Sequence, residues 1–170
     1  LDLAAELFGD PTFRGNIFRR NFIHHNGSRW TGKADAKLGQ AGIRFDDAIS
    51  GQRVVENIFW HTSGGGHGFG AVQIHGGKDN VIERNLIADC DVAISFSPWR
   101  NSGRWNEWIA KYTNGVDMAL YKSRYPELEH LHEGLDMNFV TGNLIAHCGK
   151  FLHRGTAADH GRIRPTAARA

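Results

Sequence analysis

Short apolar stretches alternate with polar turn residues along the chain, and one eight-residue unit recurs four times. Each copy has an amide residue, two mainly apolar residues, two variable residues, an asparagine and two apolar residues. The four copies occupy 16–23, 52–59, 80–87 and 138–145. The uneven distances between the copies indicate insertions between otherwise equivalent units.

The units favour β-strands, because they are short, rich in Val, Ile and Phe, and bounded by Gly, Asn or Asp. Stretches of a second kind accompany them and have alternate apolar residues; they lie at 42–47, 71–76 and 92–96. Period-two alternation predicts that these apolar residues face a core. The constant asparagines predict parallel strands about 4.8 Å apart, with amide side chains hydrogen-bonded along the stack.

Composition narrows the class of protein. The 170 residues predict one domain at 1–153, interrupted at 97–137, followed by a polar tail at 154–170. With 41% hydrophobic residues the chain should fold. No apolar run is long enough to cross a membrane, so we expect no membrane partner. The 20 basic and 18 acidic residues form no basic patch, so we expect no nucleic-acid partner.

The repeats and two motifs together resemble a known group of proteins. The motifs are Ile43-Arg-Phe-Asp-Asp-Ala-Ile-Ser-Gly51 and Ile74-His-Gly-Gly-Lys-Asp-Asn80. They resemble the right-handed parallel β-helix proteins of the pectate-lyase-like superfamily, and are most similar to bacterial glycoside hydrolases of the α-fucosidase and xylanase type. Over roughly residues 10–153, the resemblance implies an all-β, right-handed parallel β-helix (solenoid) of about four coils, with one partly helical insertion. It also implies a secreted or periplasmic protein, although residues 1–8 lack the features of a signal peptide.

Alternation predicts two rows of polar side chains outside the second kind of strand. The predicted rows are Arg44, Gln73 and Ala93, and beside them Asp46, His75 and Ser95. A carboxylate and an imidazole on neighbouring strands would form an oriented acid/base pair, and Asp47 would add a second carboxylate. The alternative is an ordinary polar face with Asp47 as a turn residue.

A further row lies four residues after each repeat asparagine and contains His25, His61, Asp89 and His147. Glycoside hydrolysis uses two carboxyl groups, roughly 5 to 10 Å apart. We expect Asp46 or Asp47 to pair with Asp89. Asp91 is the reserve carboxylate, and His61 is a predicted substrate ligand. Alternatively, the histidines fill turn positions and bind backbone groups.

The two cysteines follow that row by one position. Cys90 and Cys148 should therefore stack on neighbouring units, at a spacing that would permit a disulfide. We favour a small apolar pair of free thiols, because free cysteine is among the most buried residue types.

The insertion at 97–137 is rich in aromatic and basic residues. Pro126 predicts the start of a short helix over 125–131. We expect Trp99 and Trp105 to present flat apolar faces to a sugar, and the insertion's Arg100 and Arg104 to be able to hold a carboxylate or hydroxyl group. Arg44 is the predicted substrate clamp. Alternatively, the aromatic residues pack the insertion as a small core of its own.

These patterns and the resemblance predict a carbohydrate-active protein that hydrolyses a polysaccharide or glycan with paired carboxylates. The predicted catalytic residues are Asp46, Asp47, Asp89 and His75, and the predicted substrate-binding residues are Arg44, Gln73, His61, Trp99 and Trp105. No metal or other cofactor is expected for hydrolysis.

Two alternatives stay open at this point. The first is a polysaccharide lyase acting by β-elimination on a uronate polymer, with Arg44 and His75 serving proton abstraction. In such a lyase, calcium would be held by Asp46, Asp47 and Asp89. The second is a β-helix fragment that binds carbohydrate without catalysis.

Overall fold

The computed structural model describes residues 14–26, 41–63, 68–99, 103–130, 138–154 and 163–167. These residues contain twelve β-strands, two α-helices and one 3₁₀-helix. The strands are β1 Ile17–Arg19, β2 Phe22–His24, β3 Ile43–Phe45, β4 Arg53–Val55, β5 Ile58–Trp60, β6 Val72–His75, β7 Val81–Glu83, β8 Leu86–Ala88, β9 Val92–Ser97, β10 Phe139–Ala146, β11 Lys150–His153 and β12 Ile163–Ala167. The helices are α1 Gly103–Thr113, α2 Met118–Arg124 and the 3₁₀-helix Pro126–His130, whose start at Pro126 confirms the prediction.

The strands form two parallel sheets. The larger sheet has the order β1-β4-β7-β10-β8-β5-β2, and β12 also pairs with β10. The smaller sheet has the order β11-β9-β6-β3. Strand β10 is long enough to pair with β7 through residues 139–141 and with β8 through 144–146. Strand β12, which pairs in parallel with β10, lies in the segment that the sequence predicts to be a polar tail.

The predicted fold class, a single all-β right-handed parallel β-helix of about four coils, is wrong. The described residues form two separate parallel sheets together with helices α1 and α2, which is an α/β-like mixture. The two kinds of strand pair within their own kind, so they build different sheets. The helices come from the insertion, which has a buried core of its own.

The predicted stacking of the repeat asparagines is confirmed. The second amide position of each repeat unit is an asparagine, and these four asparagines form a row. The side-chain amide of Asn21 donates to Asn57 Oδ1 at 2.9 Å, that of Asn57 to Asn85 Oδ1 at 3.0 Å, and that of Asn85 to Asn143 Oδ1 at 2.8 Å. The residue before each asparagine has a positive φ; these residues are Arg20, Glu56, Arg84 and Gly142. The amide row satisfies backbone N–H groups at this buried turn, since Asn57 N and Asn85 N donate to the same oxygens.

Two apolar cores hold these elements together. The main core contains side chains from both sheets, for example Phe59, Ile82 and Ile94, each fully buried. The second core lies within the insertion and contains Trp105, Ile109 and Leu128, packed with Trp99 and Ala48. Because Ala48 lies just beyond β3, the second core attaches the insertion to the end of the smaller sheet. No helix among the described residues is both long and apolar enough to cross a bilayer.

Candidate functional site

The register of the smaller sheet differs from the predicted rows. Arg44 pairs with Gln73, as expected, but Gln73 pairs with Ser95 and His75 with Ser97. The predicted neighbours, Ala93 for Gln73 and Ser95 for His75, are therefore each displaced by two residues. A shift of two residues leaves every side chain on the same face, so alternation alone does not determine this register.

Asp46, Asp47 and His75, here called the Asp46 cluster, meet at the end of the smaller sheet. His75 Nδ1 lies 2.7 Å from Asp46 Oδ1 and 3.2 Å from Asp47 Oδ1. One side-chain ligand atom from each residue lies within 4.8 Å of the other two. The pairing of Asp46 with His75 matches the sequence-based expectation of a carboxylate beside an imidazole.

A sharp turn brings both carboxylates to the same imidazole. Consecutive residues on a strand point to opposite faces, but Asp47 and Ala48 have positive φ values of 38° and 65°. The turn is held by hydrogen bonds from Ala48 N to His75 O at 2.9 Å and from Ile49 N to Asp46 O at 3.1 Å. Left-handed backbone is costly for residues other than glycine. It is this conformation that gives the cluster its second carboxylate.

Two guanidinium groups border the Asp46 cluster. Arg44 lies 2.8 Å from Asp46 Oδ1, and Arg104, from helix α1, lies 3.1 Å from Asp47 Oδ1. The Arg104 guanidinium is stacked 3.9 Å above the Trp99 ring, and the Arg44 guanidinium lies 4.9 Å from the Phe69 ring centroid. The sequence names Arg104 only among the arginines of the insertion, and its position beside Asp47 depends on how the insertion docks.

The electrostatic surroundings keep Asp46 ionised. Partial burial by itself raises the pKa of Asp46, but the hydrogen bond with His75 and the charge of Arg44 outweigh burial. The resulting pKa of Asp46 lies below its ordinary value. About half of the Asp46 side chain, 47%, is exposed, as is 40% of Asp47, so a ligand can reach both carboxylates. An ionised, accessible carboxylate is suited to act as a nucleophile or base.

Trp99 supports His75 from the insertion side. Its ring meets the His75 ring edge-on at 5.3 Å, and only 8% of the residue is exposed. Gly76 has a φ of +77°, and a Cβ there would lie 2.4 Å from the Trp99 ring. Glycine therefore suits the first glycine position of the Ile-His-Gly-Gly motif, because it permits both the positive φ of the turn and the close approach of Trp99.

Three predicted substrate-binding residues are buried, and one of them is Trp99, with 8% exposed. Trp105 is fully buried in the second core, with Lys78 Nζ 4.3 Å from its ring centroid. Gln73 is 1% exposed; its Oε1 accepts a short hydrogen bond from Ser95, and its Nε2 donates to Ser97 Oγ at 3.2 Å. None of these side chains presents a surface to a sugar, because the insertion and neighbouring polar groups cover them. The alternative interpretation of the aromatic residues, as a core for the insertion, describes both Trp99 and Trp105.

Asp89 lies in a different group from the Asp46 cluster. It follows β8 in the larger sheet, where its Oδ2 accepts a hydrogen bond from Trp60 Nε1 at 2.8 Å and its Oδ1 lies 3.5 Å from His147 Nδ1. The predicted row is present, since four equivalent turn positions share φ values of 49° to 52°; they are His25, His61, Asp89 and His147. The His61 ring packs against Trp60 and His25. The structure thus joins Asp46 to Asp47 and His75, and leaves Asp89, His61 and the exposed Asp91 outside that cluster.

The donor set of the Asp46 cluster fits calcium poorly. Calcium takes about six to eight oxygen ligands, whereas this cluster offers two carboxylates and an imidazole nitrogen. Both carboxylates already pair with guanidinium groups, and the third carboxylate of the predicted calcium set, Asp89, lies in the other group. We therefore assign no calcium-dependent step to this site.

Comparisons with protein-family models, curated proteins and solved structures give no match for this chain. The resemblance to pectate-lyase-like proteins stays a prediction.

Proposed function

We propose that this protein is carbohydrate-active and cleaves a polysaccharide or glycan at the Asp46 cluster. We also propose that it is secreted or periplasmic and meets this substrate outside the cytoplasm. The observation that carries the proposal is the convergence of two accessible carboxylates on one imidazole. Arg44 and Arg104 border the cluster and are 42% and 52% exposed at their side chains. Guanidinium groups in this position would bind sugar hydroxyl or carboxylate oxygens.

Hydrolysis is the first candidate reaction. The ligand atoms of Asp46 and Asp47 lie no more than 4.8 Å apart, and retaining glycosidases likewise hold their two carboxyl groups close together, about 5 to 5.5 Å apart. Asp46 attacks the anomeric carbon while the bond from that carbon to the leaving oxygen breaks. Asp47 first takes up a proton from the solvent and gives it to the leaving oxygen, and then takes a proton from the water that releases the sugar from Asp46. This replaces the predicted pairing with Asp89 by a pairing within one turn.

The test is a glycan panel with fucosylated, xylan-type and uronate polymers, scored by the release of reducing ends. Asp46→Asn is expected to lower the rate about 100- to 10,000-fold on any substrate that the wild type cleaves. Glu83→Gln is a matched control, because this carboxylate binds Arg53 at 2.6 Å on the larger sheet. Full activity of Asp46→Asn would contradict the proposal.

β-Elimination is the second candidate reaction. It is favoured by the contact between His75 Nδ1 and Asp46 Oδ1, which lie 2.7 Å apart. A carboxylate that orients an imidazole is the arrangement of a general base. His75 would take the proton at C5 of a uronate whose carboxylate binds Arg44. The C4–O bond then breaks, the electron pair of the C–H bond forms the C4=C5 double bond, and the leaving oxygen takes up a proton from water.

The products separate the two reactions. Elimination yields unsaturated uronates that absorb in the ultraviolet, whereas hydrolysis yields none. A glycan that binds the protein without forming either product would support the third reading, a non-catalytic carbohydrate-binding protein. Isothermal titration of the same panel against wild type and Asp46→Asn measures that binding.

A further inference from the structure

The two cysteines occupy equivalent positions on neighbouring repeat units. Ala88, at the end of β8, pairs with Ala146, at the end of β10, and each cysteine follows its alanine by two residues. The backbones stay paired past this point, because Asp89 N donates to Ala146 O at 3.1 Å and Gly149 N donates to Cys90 O at 3.0 Å. Neighbouring strands lie about 4.7 to 4.9 Å apart, within the Cα separation of about 4.4 to 6.8 Å that disulfides require.

The two thiols point the same way. Cys90 Sγ donates to Ala88 O at 3.2 Å, and Cys148 Sγ lies 3.5 Å from Ala146 O, the equivalent carbonyl. Both cysteines are free thiols. Stacking of identical residues therefore places one thiol directly beside the other.

The pair combines an ionisable sulfur with a reachable one. The neighbouring Cys148 thiol lowers the pKa of Cys90 to about 6, and the same interaction raises the pKa of Cys148. Cys90 is buried, with 3% exposed, and Thr62 Oγ1 lies 3.7 Å from its sulfur. Cys148 is only half-buried. One proton is thus lost readily from the pair, and the sulfur that a reagent can reach is that of Cys148.

We propose that Cys90 and Cys148 form a dithiol site that small-molecule disulfides oxidise to an intramolecular disulfide. The pair first loses one proton, which leaves Cys90 as the thiolate, and this thiolate takes the proton of Cys148 as Cys148 attacks. The sulfur of Cys148 attacks one sulfur of the reagent, so that the reagent's S–S bond breaks and one thiolate leaves. Cys90 then loses its proton and attacks the sulfur of Cys148, which forms the protein disulfide and releases the second thiolate. The two cysteines are oxidised, and the two released thiolates take up the two protons.

The crosslink would join two neighbouring repeat units across the insertion. The chain between Cys90 and Cys148 includes all of residues 97–137, and therefore helices α1 and α2. Closing this long loop removes freedom from the unfolded chain, so the oxidised protein is expected to be more stable than the reduced protein. The site is separate from the Asp46 cluster and does not depend on the proposed carbohydrate chemistry.

The experiment treats the folded full chain with oxidised glutathione, followed by alkylation of free thiols and mass spectrometry of the intact protein and of unreduced peptides. We expect a loss of two hydrogens, no alkylation, and one peptide pair that links Cys90 to Cys148. Thermal unfolding should shift to higher temperature on oxidation and return after addition of a reductant. Two alkylated thiols, or two stable glutathione adducts on the folded protein, would overturn the proposal.

Two variants test the order of events. Cys90→Ser is expected to stop at a stable glutathione adduct on Cys148, because no second thiol can displace it. Cys148→Ser should react much more slowly, because its remaining thiol is buried. Wild-type protein unfolded in urea is the matched control, and its Cys90 to Cys148 crosslinking should be slower than in the folded chain. Equal rates in folded and unfolded protein would show that the fold does not build the site. If either variant fails to fold, the wild-type comparison decides alone.

Discussion

A carboxylate meets an imidazole across neighbouring strands in two regions of this protein, and the two regions differ in what else is present. In the Asp46 cluster, His75 touches both Asp46 and Asp47, and two guanidinium groups border them. At the turn row of the larger sheet, Asp89 lies 3.5 Å from His147, whose side chain is 85% exposed. Repetition of the unit brings such pairs together in both places. What distinguishes the Asp46 cluster is a left-handed turn and a docked insertion, which concentrate charge there.

The largest expected difference between the regions is in catalysis. Asp47 and Asp89 have side chains of nearly equal exposure, 40% and 39%, and each lies close to one histidine. Asp47→Asn is expected to lower the cleavage rate about 100- to 10,000-fold, because it removes the proton donor. Asp89→Asn should cost far less on the same substrate. Comparable losses in the two variants would return Asp89 to the reaction and contradict the single-turn pairing.

The support of the Asp46 cluster by Trp99 predicts an effect on stability. Gly76→Ala is expected to lower the free energy of unfolding by about 1 to 3 kcal/mol, because its Cβ would meet the Trp99 ring. Gly115→Ala is the matched control: its φ of +80° is similar to that of Gly76, but a Cβ there meets nothing within 4 Å. Urea unfolding measures both variants. An equal loss in the two would mean that backbone strain, and not contact with Trp99, dominates at Gly76.

The smallest expected difference lies in the dependence of stability on pH. The folded-state pKa of Asp46 is lowered, so its ionised form stabilises the folded state at neutral pH. This contribution is lost as the pH falls below about 4 and through the folded-state pKa of Asp46. When the pH falls from about 7 to about 3, the free energy of unfolding of Asp46→Asn should therefore decrease less than that of the wild type. The change is small because the side chain is half exposed. Parallel curves from urea unfolding would contradict the ion-pair description.

Sequence reasoning located part of the candidate site and missed the rest for identifiable reasons. The proximity of Arg44, Asp46 and His75 followed from strand alternation and from the equivalence of two repeat units. The register of β9 did not, because a shift of two residues preserves the pattern of faces. Arg104 and the burial of Trp105 depend on where the insertion docks, which no periodicity in residues 97–137 specifies.

The sequence by itself determined the repeat, the row of hydrogen-bonded asparagines and the stacking of Cys90 on Cys148, since each depends only on equivalent positions in neighbouring units. Only the tertiary structure decided the fold class, because the pairing of strands into two sheets and the helical insertion depend on contacts between distant residues. It also decided which carboxylates share a site. Asp46 and Asp47 converge through a left-handed turn, while Asp89 belongs to the other sheet. Spacing along the chain predicts neither the convergence of Asp46 with Asp47 nor the separate position of Asp89. Packing determines the direction of a side chain at a turn and the sheet that a strand joins.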